Sequence, residues 1–434
     1  TEGHSRTGTI FRGLVNHLVE YCLERDHDLL LISGTVRQAK LYEHLGFTPF
    51  GPLVGSGEAL YQPMYLTLDA FLRNEKVFPA LRAAVRKRRG EALNFLPGPV
   101  AVSEPVRAAF ARPPVSHRSP QFAETVRTVQ RRLCELAGAK SVQIMMGTGS
   151  LANDAVAAQL SLLDQPGLIV VNGAFGERLV DHALRFGLRF DTAERPWGQR
   201  IDRDVLERAL DAAPETRWLW AVHGETSTGV LNDLEMLKSI AAARDLRLCI
   251  DAVSSLGSVP LNLEGAWLAS SVSGKGLGSF SGLALVFHQD ELAAQPGRLP
   301  RYLDIGFYAE SHGVPFTMSS NLLDALHTAV EQFEGARHFR RLERLASELR
   351  RGLEELRLPI VADPPSFPAI VTIQLPAGTS STAFGEQLER TGHHLHYRSE
   401  YLRSRNWIQI CLMGVCTPEM VEELLFVLRG ATEG

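Results

Sequence analysis

The chain is predicted to be an α/β protein. Its large central unit is expected to carry a mostly parallel sheet covered by helices on both faces. Three observations predict this. Apolar runs at 168–172, 218–223, 247–251 and 283–287 alternate with helical patterns at 121–136, 151–162, 177–186, 202–213 and 234–243. That alternation is what a parallel sheet with crossover helices requires. The chain has 434 residues, room for two or three domains, and is 45% hydrophobic and 22% charged, as soluble globular proteins are. Beyond the alternation the pattern changes to a smaller α+β unit at the C-terminus.

Taken in order, residues 10–25 place Ile10, Leu14, Leu18, Val19, Cys22 and Leu23 at helical spacing. The run 29–32 suits a buried strand. Residues 36–45 read as a helix closed by Gly46, and 60–68 have strand character. A basic stretch at 82–89 reads as a solvated helix face or linker. Phe95, Leu96, Pro97, Gly98 and Pro99 then break regular structure, and the large unit is expected to start near Glu91. Residues 321–355 form a long helical stretch, expected to be bent or broken. Strands at 370–375 and 407–412 and a helix at 418–428 follow. The expected divisions are 1–72, a linker at 73–90, the large unit at 91–330 and the small unit at 331–434.

Lys and Arg number 45 against 49 Asp and Glu, a net charge of −4. That balance argues against a dedicated nucleic-acid binder and gives no sign of membrane-surface binding. No apolar run approaches the ~20 residues that cross a bilayer, and no signal peptide is read at the N-terminus. The five cysteines are sparse and lack a C-x-x-C pair, so neither a disulfide framework nor a zinc site is expected. A cytoplasmic setting follows as an expectation.

Four features carry chemistry. Gly147, Thr148, Gly149 and Ser150 precede a helix, where free N–H groups attract an anion such as phosphate. Alone, this is also an ordinary N-cap. Asp251 ends an apolar strand, and strand C-termini of open α/β sheets face the ligand crevice. Lys275 stands between Gly274 and Gly276 on a tight loop. Alone, it is also an exposed loop lysine. Thr226, Ser227 and Thr228 follow a strand and put hydroxyls at the same edge, though such a stretch is also a common turn. Together they supply a phosphate cradle, an acid, hydroxyl donors and a lysine. Pyridoxal phosphate (PLP) needs this set: a lysine for the Schiff base, an acid on the ring nitrogen and donors for the phosphate.

From Phe95 onward the sequence resembles the class V aminotransferases, fold-type I PLP enzymes, and within them the alanine–glyoxylate and serine–glyoxylate group. The resemblance runs through Pro97-Gly98-Pro99, Ser116 to Pro120, Gly147 to Ser150, Asn172 to Gly176, Gly224 to Val230, Asp251 to Gly257, Gly274 to Gly278 and Tyr302 to Ile305. It implies that Lys275 carries the cofactor as a Schiff base and that Asp251 pairs with its ring nitrogen. It implies further that Val253 and Phe175 flank the ring, and that Thr148, Gly149 and Ser150 hold its phosphate. Thr226 or Ser227 would contact the ring or its 3′ oxygen. Thr317 would reach the phosphate of a neighbouring subunit, which implies a homodimer with its sites between protomers.

The sequence departs from the family at one place. Where these enzymes carry an arginine for the substrate carboxylate, this chain has Gln409. A glutamine cannot supply the charge, so Arg118, Arg398, Arg403 or Arg405 is expected to take over, or the amino donor is unusual.

Residues 1–72 resemble something else, the C-terminal half of a GNAT acetyltransferase. Arg6 to Ile10 and Arg37 to Phe47 carry that likeness. Because the early strands of that fold are not in the sequence, the block is expected to be a structural remnant.

The expected function is a PLP-dependent aminotransferase moving an amino group from a small-molecule amine donor to a keto acid or aldehyde through Lys275. The alternatives are a PLP-dependent lyase, decarboxylase or carbon–carbon bond-forming enzyme, motivated by Gln409, and an acetyl-CoA-binding or acetyltransferase protein. No metal, nucleic-acid or membrane partner is expected.

Overall fold

Along the central strands of the large unit, neighbouring side chains face opposite ways, and both directions end in apolar packing. Leu248 and Ile250 enter one core with Leu168, Val170, Leu219 and Ala221. Cys249 enters the other with Ile169, Trp218, Trp220 and Leu268. This period of two, apolar on both sides, is what a sheet covered on both faces demands. The computed structural model describes residues 17–18, 21–22, 25, 27–44, 46–56, 59–67, 70 and 91–433. Residues 6–10, most of the helical pattern at 10–25 and the basic linker at 73–90 lie outside the described residues.

By contact density the chain divides into two compact units. The first comprises Thr1–Leu93, Gln387–His393 and Pro418–Gly434. It holds an antiparallel sheet of β1 (Leu29–Thr35), β2 (Thr48–Pro49), β3 (Val54–Ser56) and β4 (Ala59–Thr67). β1 and β2 flank β4, and β3 also pairs with β4. The helix α1 (Ala39–His44) ends at Gly46, whose φ of 95° few residues but glycine adopt readily. The strands expected at 29–32 and 60–68 and the helix expected at 36–45 are present, but β1 is not the buried strand expected, because it lies at one side of the small sheet with Leu29 and Leu31 exposed.

The second unit comprises Asn94–Glu386 and His394–Thr417. Its sheet has seven strands: β5 (Ser141–Gly147), β6 (Gly167–Val171), β7 (Phe190–Glu194), β8 (Trp218–Val222), β9 (Arg247–Asp251), β10 (Leu268–Val272) and β11 (Gly282–His288). They lie in the order β5-β11-β10-β9-β8-β6-β7. β10, β9, β8, β6 and β7 are parallel to one another, and β11 runs antiparallel to both β10 and β5. The helix α2 (Pro120–Ala137) precedes the sheet, and the helices between its strands are α3 (Gly149–Ser161), α4 (Ala174–Arg185), α5 (Arg203–Ala212) and α6 (Leu234–Ala243). The mostly parallel α/β sheet expected from the alternation is therefore present.

Three strands escape the periodicity. β5 contains Gln143 and two methionines, β7 is polar on a sheet edge, and β10 reads Leu-Ala-Ser-Ser-Val. The serines of β10 are buried because each is bonded: Ser270 Oγ donates to Asn153 Oδ1 and Ser271 Oγ to Ala252 O. The helical stretch expected at 321–355 is broken into α7 (Ser320–Glu331) and α8 (Ala336–Glu355), with Gly335 at φ 56° between them. Farther on, β12 (Ile370–Gln374) pairs antiparallel with β13 (Trp407–Cys411), and Thr372 stands opposite Gln409. No described helix is long and apolar enough to cross a membrane.

Candidate active site

The carboxyl ends of the parallel strands gather the chemistry in one place. β5 ends at Gly147 and leads into α3. β6 leads into α4, β8 into the turn carrying Thr226, and β9 ends on Asp251. β10 leads into the Lys275 loop. A cavity of about 280 Å³ lies there, lined by Thr148, Gly149, Ser150, Phe175, Thr226, Asp251, Val253 and Lys275. Crevices at this edge are where open α/β sheets bind ligands.

Local packing explains the motifs. A side chain at Gly274 would run into the backbone of Ser281, and one at Gly276 would meet the Leu256 carbonyl. Lys275 is thus held on a close-packed loop. A Cβ on Gly149 would press on Val253, so glycine there lets the start of α3 approach the segment after β9. Thr148 is the N-cap of α3 yet makes no side-chain cap bond, which leaves its hydroxyl to the cavity.

Asp251 is buried, with 4% of its surface exposed. Its Oδ2 accepts from Asn153 Nδ2 at 2.8 Å and its Oδ1 from Val253 N at 2.9 Å. A carboxylate only accepts, so the Asn153 amide nitrogen must face it and the Asn153 oxygen must take the Ser270 proton. Burial pushes the Asp251 pKa up, and the Asn153 and Val253 bonds pull against it. Lys275 Nζ donates to Ser254 Oγ at 3.0 Å, and Ser254 Oγ is in turn bonded to Thr226 Oγ1. Burial pushes the Lys275 pKa down, toward a neutral amine.

Side chains that sequence reasoning did not single out complete the cavity: Asn153, Arg178, His396, Ser399 and Tyr401. His396 Nε2 and Ser399 Oγ are bonded at 2.7 Å. Burial, aided by the Lys275 charge, lowers the His396 pKa. Burial raises the Tyr401 phenol to about 12, so it remains a neutral donor. Glu225, fully buried, accepts from Phe175 N at 3.3 Å, Gly176 N at 3.1 Å, Ser227 N at 3.1 Å and Ser227 Oγ at 2.5 Å. It therefore anchors the first turn of α4, the turn that carries Phe175. Its burial raises its pKa, and those four donors oppose the rise.

Other expected site residues lie apart from the cavity. Ser227 is turned toward Glu225 and accepts from Ala174 N at 3.0 Å. Thr317 and Arg118 are exposed and do not line it. Arg398 is exposed and donates to Tyr397 Oη at 2.7 Å, and Arg405 lies 3.6 Å over the Trp197 ring. Gln409 is fully buried. Its Nε2 faces Thr226 O at 2.5 Å, Ser227 O at 2.8 Å and Thr372 Oγ1 at 3.0 Å, and its Oε1 accepts from Tyr401 Oη at 3.2 Å. Its hydrogen-bonding capacity is spent on tying β13 to the Thr226 turn.

His223, just before that turn, offers a test of the local electrostatics. It is 5% exposed, and burial pushes its imidazole down from 6.5 to about 4. The folded chain thus binds this proton less readily than the unfolded one. The stability His223 contributes is in place above pH 6.5 and is lost as pH falls toward about 4. The gap corresponds to roughly 3 kcal/mol. Urea midpoints at pH 7 and pH 4.5 should fall less steeply for H223Q than for the wild type. Equal slopes would contradict the assignment.

Known proteins resemble this chain over the same region. The family described as Aminotransferase class-V matches residues 103–299. A soluble hydrogenase 42 kDa subunit of Anabaena cylindrica is 34% identical over 302 residues, covering 65% of this chain and 78% of that protein. An L-aspartate–glyoxylate aminotransferase of Paracoccus denitrificans is 30% identical over 360 residues, covering 75% of this chain and 90% of that one. The crystal structure of an alanine–glyoxylate aminotransferase of Nostoc sp. superposes with a TM-score of 0.71 at 27% identity, covering 78% of this chain and 94% of that one.

Proposed function

Because the chain belongs to the class V aminotransferases and is a PLP-dependent aminotransferase, we propose that Lys275 and Asp251 do its chemistry and that the α3 start holds the cofactor. One observation carries this reading: a buried carboxylate and a half-buried amine share one cavity. The residues fit PLP. Among the described residues Asp251 meets no cation at ion-pair distance, and a buried anion calls for a positive partner, which a protonated ring nitrogen supplies. The α3 start offers free N–H groups and the Thr148 hydroxyl to a phosphate.

When bound, PLP supplies an electron-withdrawing ring that stabilises negative charge at the substrate Cα. Asp251 would hold a proton on the ring nitrogen, and Asn153 would keep that carboxylate aimed. Val253 and Phe175 would confine the ring between apolar surfaces. Lys275, favoured as a neutral amine, would take the proton from the substrate Cα and return it during transfer. Ser254 and Thr226 would steady the lysine through their hydrogen-bond chain. The 30% identity to an L-aspartate–glyoxylate aminotransferase supports an amino acid donor and glyoxylate or a similar keto acid as acceptor. We further propose that Thr317, exposed and away from its own cavity, completes the phosphate site of a second copy.

A donor screen on the PLP-loaded protein tests this reading. Donors should change the cofactor absorbance without an acceptor, and a keto acid should reverse the change. A cofactor that returns to its starting spectrum with no acceptor would indicate a lyase instead. Light scattering of the same preparation should give the mass of a dimer, and a monomer would contradict the role of Thr317.

A further inference from the structure

The cavity contains two basic side chains, Lys275 and Arg178. Lys275 has a role in the proposed reaction, whereas Arg178 has none. It stands one turn along α4 from Phe175, with its guanidinium 4.6 Å from the centre of the Phe175 ring. Lys275 Nζ is 5.4 Å from the same centre, so the two basic groups stand no more than about 10 Å apart. Among the described residues, no carboxylate pairs with Arg178. An arginine in a ligand cavity with its donors unspent is suited to a planar or tetrahedral oxyanion.

The place where the family resemblance expects such an arginine is filled by Gln409, and that side chain is spent. Of the arginines that sequence reasoning offered instead, Arg118 lies outside the cavity, Arg398 bonds Tyr397, and Arg405 stacks on Trp197. Arg178 alone among the described arginines lines it. Tyr401, held by Gln409, adds a neutral O–H on the cavity wall.

We infer that Arg178 grips the oxyanion of the amino donor, a carboxylate or a phosphonate, in place of the arginine that Gln409 replaces. This inference rests on the aminotransferase reading. The substrate class is then a primary amine carrying a compact oxyanion a few bonds from its nitrogen. Specificity is set from α4 rather than from β13.

The test uses the PLP-loaded protein and two unreactive anions that lack an amino group, propionate and ethylphosphonate. Their Kd values are measured by calorimetry for the wild type, R178Q and R178K, with cofactor occupancy read by absorbance. R178Q should weaken at least one anion about 10- to 100-fold, the range for a hydrogen-bonded charge. R178K should keep part of that affinity, and both variants should keep PLP. The anion most weakened identifies the group recognised. A change under threefold in R178Q for both anions would overturn the proposal. So would loss of PLP from both variants, since Arg178 would then serve the cofactor. A wild type that takes up no PLP would instead overturn the aminotransferase reading itself.

Discussion

K275A should lose transamination by at least about 10⁴-fold, the upper end of what a positioned proton-transfer group supplies. Lys275 Nζ lines the cavity together with Asp251, and burial favours its neutral form. Alanine removes the group proposed to move the Cα proton. The variant should nevertheless fold. The lost contacts are one hydrogen bond to Ser254 and the approach to the Phe175 ring, and removing an amine from a largely buried site relieves a desolvation cost. The melting temperature should therefore shift by no more than a few degrees, about what 1 kcal/mol produces. Steady-state rates with the best donor of the screen, together with a thermal melt, check both parts. A K275A protein retaining a tenth of the wild-type rate would remove Lys275 from the chemistry.

D251N should lower the rate by about 10²- to 10⁴-fold while keeping the fold. Asparagine has nearly the shape of the carboxylate, so one of the bonds from Asn153 and Val253 can remain. What disappears is the negative charge that would keep a proton on the ring nitrogen. Without cofactor, the variant should match or exceed the wild type in stability, because an unpaired buried carboxylate is costly. Faster unfolding of the cofactor-free variant, or an unchanged rate with PLP, would show that Asp251 is structural. The two variants separate in a useful way. In the proposed roles Lys275 acts on the substrate carbon and Asp251 on the ring, so D251N should still take up PLP.

Several of these residues were legible from the sequence because their motifs are local. Lys275 sits between glycines that close packing requires, and Gly147 to Ser150, the proposed phosphate cradle, form a contiguous helix start. Asp251 ends a strand whose apolar run is unmistakable. The missed residues are those brought in by tertiary structure. Asn153 lies inside an apolar helical stretch, and only its bond to Asp251, 98 residues away, gives it meaning. Arg178 reads from sequence as a solvated residue of an amphipathic helix. His396, Ser399 and Tyr401 come from the segment before β13, with no spacing that marks them. Two signals were available. The paired serines of β10 announce a polar network beneath a buried strand, and Glu225, flanked by small polar residues after an apolar run, is an acid that must find donors. Gln409 is the opposite case. Its position drew attention by resemblance, and the structure gives its amide to the backbone of Thr226 and Ser227.

The central claim is that one lysine carries the cofactor in the cavity at the carboxyl edge of the sheet. The most direct measurement is borohydride reduction of the PLP-loaded protein, followed by peptide mapping by mass spectrometry. The account predicts a single pyridoxyl-bearing peptide, with the modification on Lys275. Label on a different lysine, or a protein that takes up no PLP, would contradict it.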